Sequence, residues 1–173
     1  MGKNAMKFLA IAVVTASLLI CNHSFAQGTS PSKGKHFPSS QTVLRAYVAA
    51  WNRHDFAALK SLMAPAGFHE DASSLNSRAI GPAQTENLLR EMIMLEPDFD
   101  WHLTAIVESG PIAMAEWTWT GTYTGESPDG PVVNRPISGR GATVAVIKNG
   151  KIQRLTDYYD PASYFLKKTE QAK

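Results

Sequence analysis

The chain changes its hydrophobic period near Pro97, and that change limits the folds open to it. Over residues 101–159 apolar and polar side chains alternate, as they do on the two faces of a sheet. Four strands are expected at residues 101–108, 113–124, 137–147 and 151–159. Ser109-Gly110-Pro111 and Lys148-Asn149-Gly150 read as hairpin turns, the Asn-Gly pair being the stronger signal. Residues 126–135, rich in Pro, Gly and Asp, read as a longer loop. Before Pro97 the spacing is helical. Leu44, Tyr47, Val48 and Trp51 fall at i, i+3, i+4 and i+7 behind a Ser39 or Ser40 cap. Asp55 caps a second, short helix with Leu59, Leu62 and Met63 inward. Pro82 opens a third that runs to about Leu95, with Leu88, Leu89, Met92 and Leu95 inward. Gly67 to Asp71 is a short strand candidate, and residues 72–81 read as a loop. Asp160-Pro161 starts a short last helix carrying Tyr164 and Phe165. Helices first and antiparallel strands after them mean an α+β domain. A curved sheet wrapped on helices leaves a pocket at its mouth.

The N-terminal segment has a different purpose. Residues 1–26 combine Lys3 and Lys7, an apolar run over 8–20, and small residues at Ser24 and Ala26. This is the pattern of a secretory signal, with cleavage expected before Gln27 and export to the periplasm or the outside. The alternative, a lipid anchor on Cys21, is disfavoured by Ile20, where that processing takes a small residue. Residues 27–40 read as a flexible linker, 41–168 as one domain and 169–173 as a tail. Loss of Lys3 and Lys7 from 17 basic residues leaves 15 against 15 acidic ones. No charge excess and no Lys/Arg run then remain to attract nucleic acid, and no membrane anchor remains after cleavage. The single cysteine excludes a disulfide framework, and no CxxC, Walker A or HExxH pattern occurs. Neither a metal nor a cofactor is expected.

Three stretches carry a family likeness: Arg45-Ala46-Tyr47-Val48-Ala49-Ala50-Trp51-Asn52-Arg53-His54-Asp55, the run from Glu116 through Trp117-Thr118-Trp119 to Gly125, and Gly150-Lys151-Ile152 through Asp157-Tyr158-Tyr159-Asp160. With the order α-α-β-α-β-β-β-β, they resemble the cone-shaped fold shared by nuclear transport factor 2, ketosteroid isomerase and the SnoaL-like polyketide cyclases. The resemblance implies three helices packed on a curved mixed or antiparallel sheet, a short C-terminal helix, a small hydrophobic ligand and a homodimer. It also implies either acid–base chemistry of isomerase or cyclase type, or a binding or assembly module without chemistry, since one fold serves both.

The candidate site residues follow from that likeness. Tyr47 lies where ketosteroid isomerase has its oxyanion-hole tyrosine, and Asp71 where it has its base. A carboxylate in a partly apolar pocket takes a proton next to a carbonyl, and a hydroxyl steadies the enolate. The family's second donor, an acid on the penultimate strand, has no counterpart in Gly141-Ala142-Thr143. Asp157 is similar to the acid on the last strand of SnoaL-like cyclases and of limonene epoxide hydrolase. The arginine and second aspartate of the epoxide hydrolase's middle strand are replaced by Trp117-Thr118-Trp119. If Asp71 faces the pocket, period two brings His69 there too, as a proton shuttle. Trp117, Trp119, Tyr159 and Phe68 are the candidate ligand contacts. Each of these residues also has a purely structural role open to it: core packing for the rings, sheet-mouth or loop hydrogen bonds for the acids.

Overall fold

The computed structural model describes residues 36–73, 77–127 and 129–164. The expected export signal, linker residues 27–35, Phe165 and the tail lie outside them. The elements run α1 (Ser40–Asn52), α2 (Phe56–Leu62), β1 (Met63–Asp71), β2 (Arg78–Ile80), α3 (Gly81–Leu95), β3 (Asp100–Ser109), β4 (Ile112–Ser127), β5 (Gly130–Lys148) and β6 (Lys151–Tyr159), then a 3₁₀ turn, Pro161–Tyr164. The strands form one sheet in the order β2-β1-β6-β5-β4-β3. Only β1 and β6 are parallel, so the sheet is mixed. Three helices on a mixed sheet make this an α+β, nuclear transport factor 2-like fold.

The caps read from sequence are formed. Ser39 accepts from the Thr42 amide at the start of α1, and Asp55 accepts from the Ala58 amide at the start of α2. Leu44, Tyr47, Val48 and Trp51 bury one face of α1 against the sheet's inner face, where Trp101, Trp117, Trp119, Ala145 and Leu155 meet them. Asn149 and Gly150 both take positive φ, 53° and 71°, in the β5–β6 turn. On α3, Leu89 is buried, Leu88 and Met92 are partly buried, and Leu95 is exposed. Among the described residues no helix is long and apolar enough to cross a membrane.

Besides Leu95, which was expected inward, four expectations needed correction. Met63 begins β1 rather than ending α2; it is buried from a strand instead of a helix. Residues 78–80, within the expected loop, form β2 on the outer edge of β1. Residues 126–135 are the tip of a long hairpin, paired out to Ser127 and Gly130. Pro131 and Pro136 are tolerated there because β6 ends opposite Gly141, so the rest of β5 has a free edge that needs no amide donor. The last helix is a single 3₁₀ turn.

Two glycines set the depth of the sheet's inner face. Trp117 is opposite Gly141 and Trp119 opposite Gly139. A Cβ at Gly141 would lie 2.4 Å from the Trp117 ring, and one at Gly139 2.8 Å from the Trp119 ring. The indoles therefore lie over bare backbone of the next strand.

Candidate active site

Asp157 on β6 projects from the sheet's inner face and is 7% exposed. Its partners come from two neighbouring strands. Thr143, its register partner on β5, donates from Oγ1 to Oδ1. His69 on β1 bonds Oδ2 through Nε2 at 2.7 Å. The other imidazole nitrogen, Nδ1, is 2.8 Å from the hydroxyl of Tyr47 on α1. Thr143 Oγ1 in turn accepts from Trp117 Nε1 at 2.8 Å. A carboxylate only accepts, so the proton between His69 and Asp157 sits on Nε2. When the ring carries a proton on Nε2 alone, Nδ1 is an acceptor and the Tyr47 hydroxyl donates to it. All the hydrogen bonds of this buried chain point toward Asp157. Burial, and then the nearby Asp157 carboxylate, push the Tyr47 hydroxyl pKa well above its ordinary value, so it stays a donor.

Asp71 lies beside Asp157, its register partner across the parallel β1–β6 pair. Its surroundings are different. Oδ1 accepts from the Ser73 amide at 2.8 Å and the Ser73 hydroxyl at 2.5 Å, a local turn around a half-exposed carboxylate. Oδ2 accepts from the Tyr159 hydroxyl at 2.5 Å. Burial and the Asp71 carboxylate together raise the Tyr159 pKa, which keeps that hydroxyl protonated as well.

Both carboxylates and His69 line one cavity of about 100 Å³, open to solvent on one side. An apolar cavity of roughly 150 Å³ holds a benzene, so the enclosed part suits a group of about one ring. Its walls are apolar: Trp51 from α1, Leu88 and Met92 from α3, Phe99 and Trp101 beside and on β3, Trp117 and Trp119 on β4, and Tyr159 on β6. Trp101 meets both Trp51 and Trp117 at 84°, whereas Phe99 stacks on Trp119. Among the described residues no three His, Cys, Asp or Glu side chains gather as a metal site requires.

His69, Asp71, Asp157, Trp117, Trp119 and Tyr159 thus come together. Tyr47 sits behind His69, outside the cavity lining, with its hydroxyl bonded to the imidazole. Phe68 is a correction. Period two turns His69 and Asp71 inward, so Phe68 points to the other face of β1, where the Arg78 guanidinium lies 4.3 Å from its ring centroid. Glu70 goes the same way and pairs with Arg78. Sequence reasoning overlooked Thr143, considered only as a position lacking an acid, and it overlooked Leu88, Met92 and Phe99 as wall residues. A Thr on the inward phase of β5 was the one available signal for the first; the walls carry none beyond apolarity.

A model of the family described as SnoaL-like polyketide cyclase matches residues 41–166. The chain belongs to that family. Comparison with curated proteins found no match. Among solved structures, this SnoaL-like chain is similar to a protein with a ketosteroid isomerase-like fold from Catenulispora acidiphila, in complex with trimethylamine. The identity is 21% and the TM-score 0.62, over 75% of this chain and 91% of that one. It is similar to a SnoaL-like polyketide cyclase from Agrobacterium tumefaciens, at 18% identity and TM-score 0.62 over 73% and 95% of the two chains. It is also similar to an M. tuberculosis epoxide hydrolase resembling limonene epoxide hydrolase, at 20% identity and TM-score 0.59 over 73% and 86%. At these identities the likeness concerns the fold. The SnoaL-like family assignment rests on the match to residues 41–166.

Proposed function

We propose that this SnoaL-like protein is exported and carries out acid–base chemistry, of isomerase or cyclase type, on a small hydrophobic carbonyl compound. One observation carries the reading: Asp157 is a buried carboxylate that lines an apolar, ring-sized cavity and is oriented by a directional hydrogen-bond chain. Asp157 takes a proton from the carbon next to the substrate carbonyl and returns it at another position. His69 and Thr143 hold the carboxylate in place and steady it when charged. Tyr159, whose hydroxyl donates to Asp71, flanks the substrate at the cavity mouth. Tyr47 is a positioning residue that fixes the His69 tautomer. A sheet-face homodimer is part of the same proposal, since Met114 and Tyr158 are exposed on the strands of the sheet.

A second reading has one observation in its favour. Both oxygens of Asp157 and both nitrogens of His69 already have partners, as in a structural network that only shapes a binding cavity. Deuterium uptake at the α-carbon of small cyclic ketones in D₂O, followed by NMR, separates the two. Asp157→Asn is expected to slow the protein-catalysed exchange by about 10²- to 10⁴-fold, the usual contribution of a positioned acid or base. Ketones that bind without exchange above the buffer rate would leave the binding module as the account.

A further inference from the structure

Among the described residues two carboxylates, and neither lysine nor arginine, line the cavity. Asp71 and Asp157 are register partners on adjacent parallel strands, so their carboxylates stand side by side on one face of the sheet. Their hydrogen-bond donors are neutral hydroxyls, an amide and the imidazole. Among the described residues neither acid is paired with a lysine or arginine, and neither residue type lines the cavity. Two like charges this close repel each other, and a bound positive charge relieves that repulsion.

The remaining walls select which cation. All four tryptophans of the chain line this one cavity. Trp101 meets Trp51 and Trp117 edge to face and Phe99 stacks on Trp119, so the rings line the space in different planes. Aromatic rings attract cations through their negative faces and favour weakly hydrated, alkylated ones, because nothing in such a wall replaces a metal ion's water shell. The enclosed volume of about 100 Å³ admits a group as compact as a trimethylammonium head.

We propose that the ligand of this cavity carries a substituted ammonium group, held in the tryptophan box beside Asp71 and Asp157. This deepens the functional reading above and rests on this cavity being the ligand site: the substrate class becomes a small carbonyl compound with an alkylammonium end. An anionic ligand is excluded by the same two carboxylates.

The test uses choline, its uncharged isostere 3,3-dimethyl-1-butanol and the anion 3,3-dimethylbutanoate, titrated against the purified protein. Because every tryptophan lines the site, intrinsic fluorescence reports occupancy directly. Choline is expected to bind at least about tenfold more tightly than the isostere, and the anion not to bind. In Asp71→Asn, whose carboxylate is half-exposed and whose fold is checked by circular dichroism, the choline-to-isostere ratio should fall several-fold while isostere affinity holds. Equal binding of choline and isostere, or no binding of any of the three, overturns the proposal. Equal binding together with Asp157-dependent ketone exchange overturns it alone and leaves acid–base chemistry standing. A choline preference in a protein that exchanges no ketone overturns the catalytic reading alone.

Discussion

Asp71 and Asp157 occupy equivalent places on adjacent strands, yet the molecule treats them differently. Asp157 is buried and held by Thr143 and His69, 14 and 88 residues away in the chain. Asp71 is half-exposed and held by Ser73, two residues on, and by the distant Tyr159. A long-range cage exists only when the whole sheet is formed, and it fixes geometry tightly. A local turn survives small changes and leaves the carboxylate open to solvent. Under the proposed function, this difference gives proton transfer to Asp157 and the mouth of the cavity to Asp71.

The largest expected effect is on turnover. Asp157→Asn should cost about 10²- to 10⁴-fold in ketone exchange, and Asp71→Asn no more than about tenfold. Equal losses would break the distinction between cage and mouth.

Next comes stability. His69→Leu removes a donor to Asp157 and the acceptor of the Tyr47 hydroxyl, leaving two buried polar groups short of a partner. Urea denaturation should show a loss of about 3 kcal/mol. Adding Tyr47→Phe to it should cost less than the sum of the single changes, because the orphaned hydroxyl disappears. Strict additivity would mean that the chain does not act as a unit.

The pH dependence sharpens the comparison at the alkaline end. Tyr47 has a raised folded-state pKa, by burial first and by Asp157 second. In the folded state it keeps a proton that the unfolded chain releases near pH 10. Its contribution to stability is therefore full below about pH 10 and declines as pH rises toward the folded pKa. The urea midpoint should drop between pH 9 and pH 11. Tyr47→Phe should flatten the fall, although Tyr159, raised for similar reasons, leaves a remainder. An unchanged slope in the variant would place the effect elsewhere.

The smallest effect is expected at Ser73→Ala, which removes one hydroxyl from an accessible carboxylate. The amide bond to Asp71 remains, and stability should change by less than about 1 kcal/mol, read as a shift in the urea midpoint. A large loss would show that the mouth is as cooperatively held as the interior.

Much of this was legible in the chain. The apolar stripe of α1, the Ser39 and Asp55 caps, the Asn149-Gly150 turn and the shared face of Trp117 and Trp119 rest on spacing within a few residues. Helix period, strand alternation and left-handed turn residues are local properties, and local physics fixes them. The alternation of Phe68 with His69 was visible too, but not which of the two turned inward. That choice depended on where β1 docked.

The site needed long-range pairing. Counting back from the β5–β6 turn, Lys148 opposite Lys151, would put Asp157 opposite Ala142. The register shifts between Val146 and Ile147, where Gln153 is the extra residue on β6, and Thr143 becomes the partner instead. One residue of slip reverses which face every later side chain takes, so this bulge decides whether Asp157 has a hydroxyl donor at all. The parallel β1–β6 pairing, which brings His69 and Asp71 beside it, joins residues 86 apart at the site, as 157 − 71 shows. The sequence by itself determined most of the elements, the fold class and most of the residues capable of chemistry, because each follows from neighbours along the chain. Only the tertiary structure decided which of them meet, because register between distant strands is set by the packing of the whole sheet on its helices.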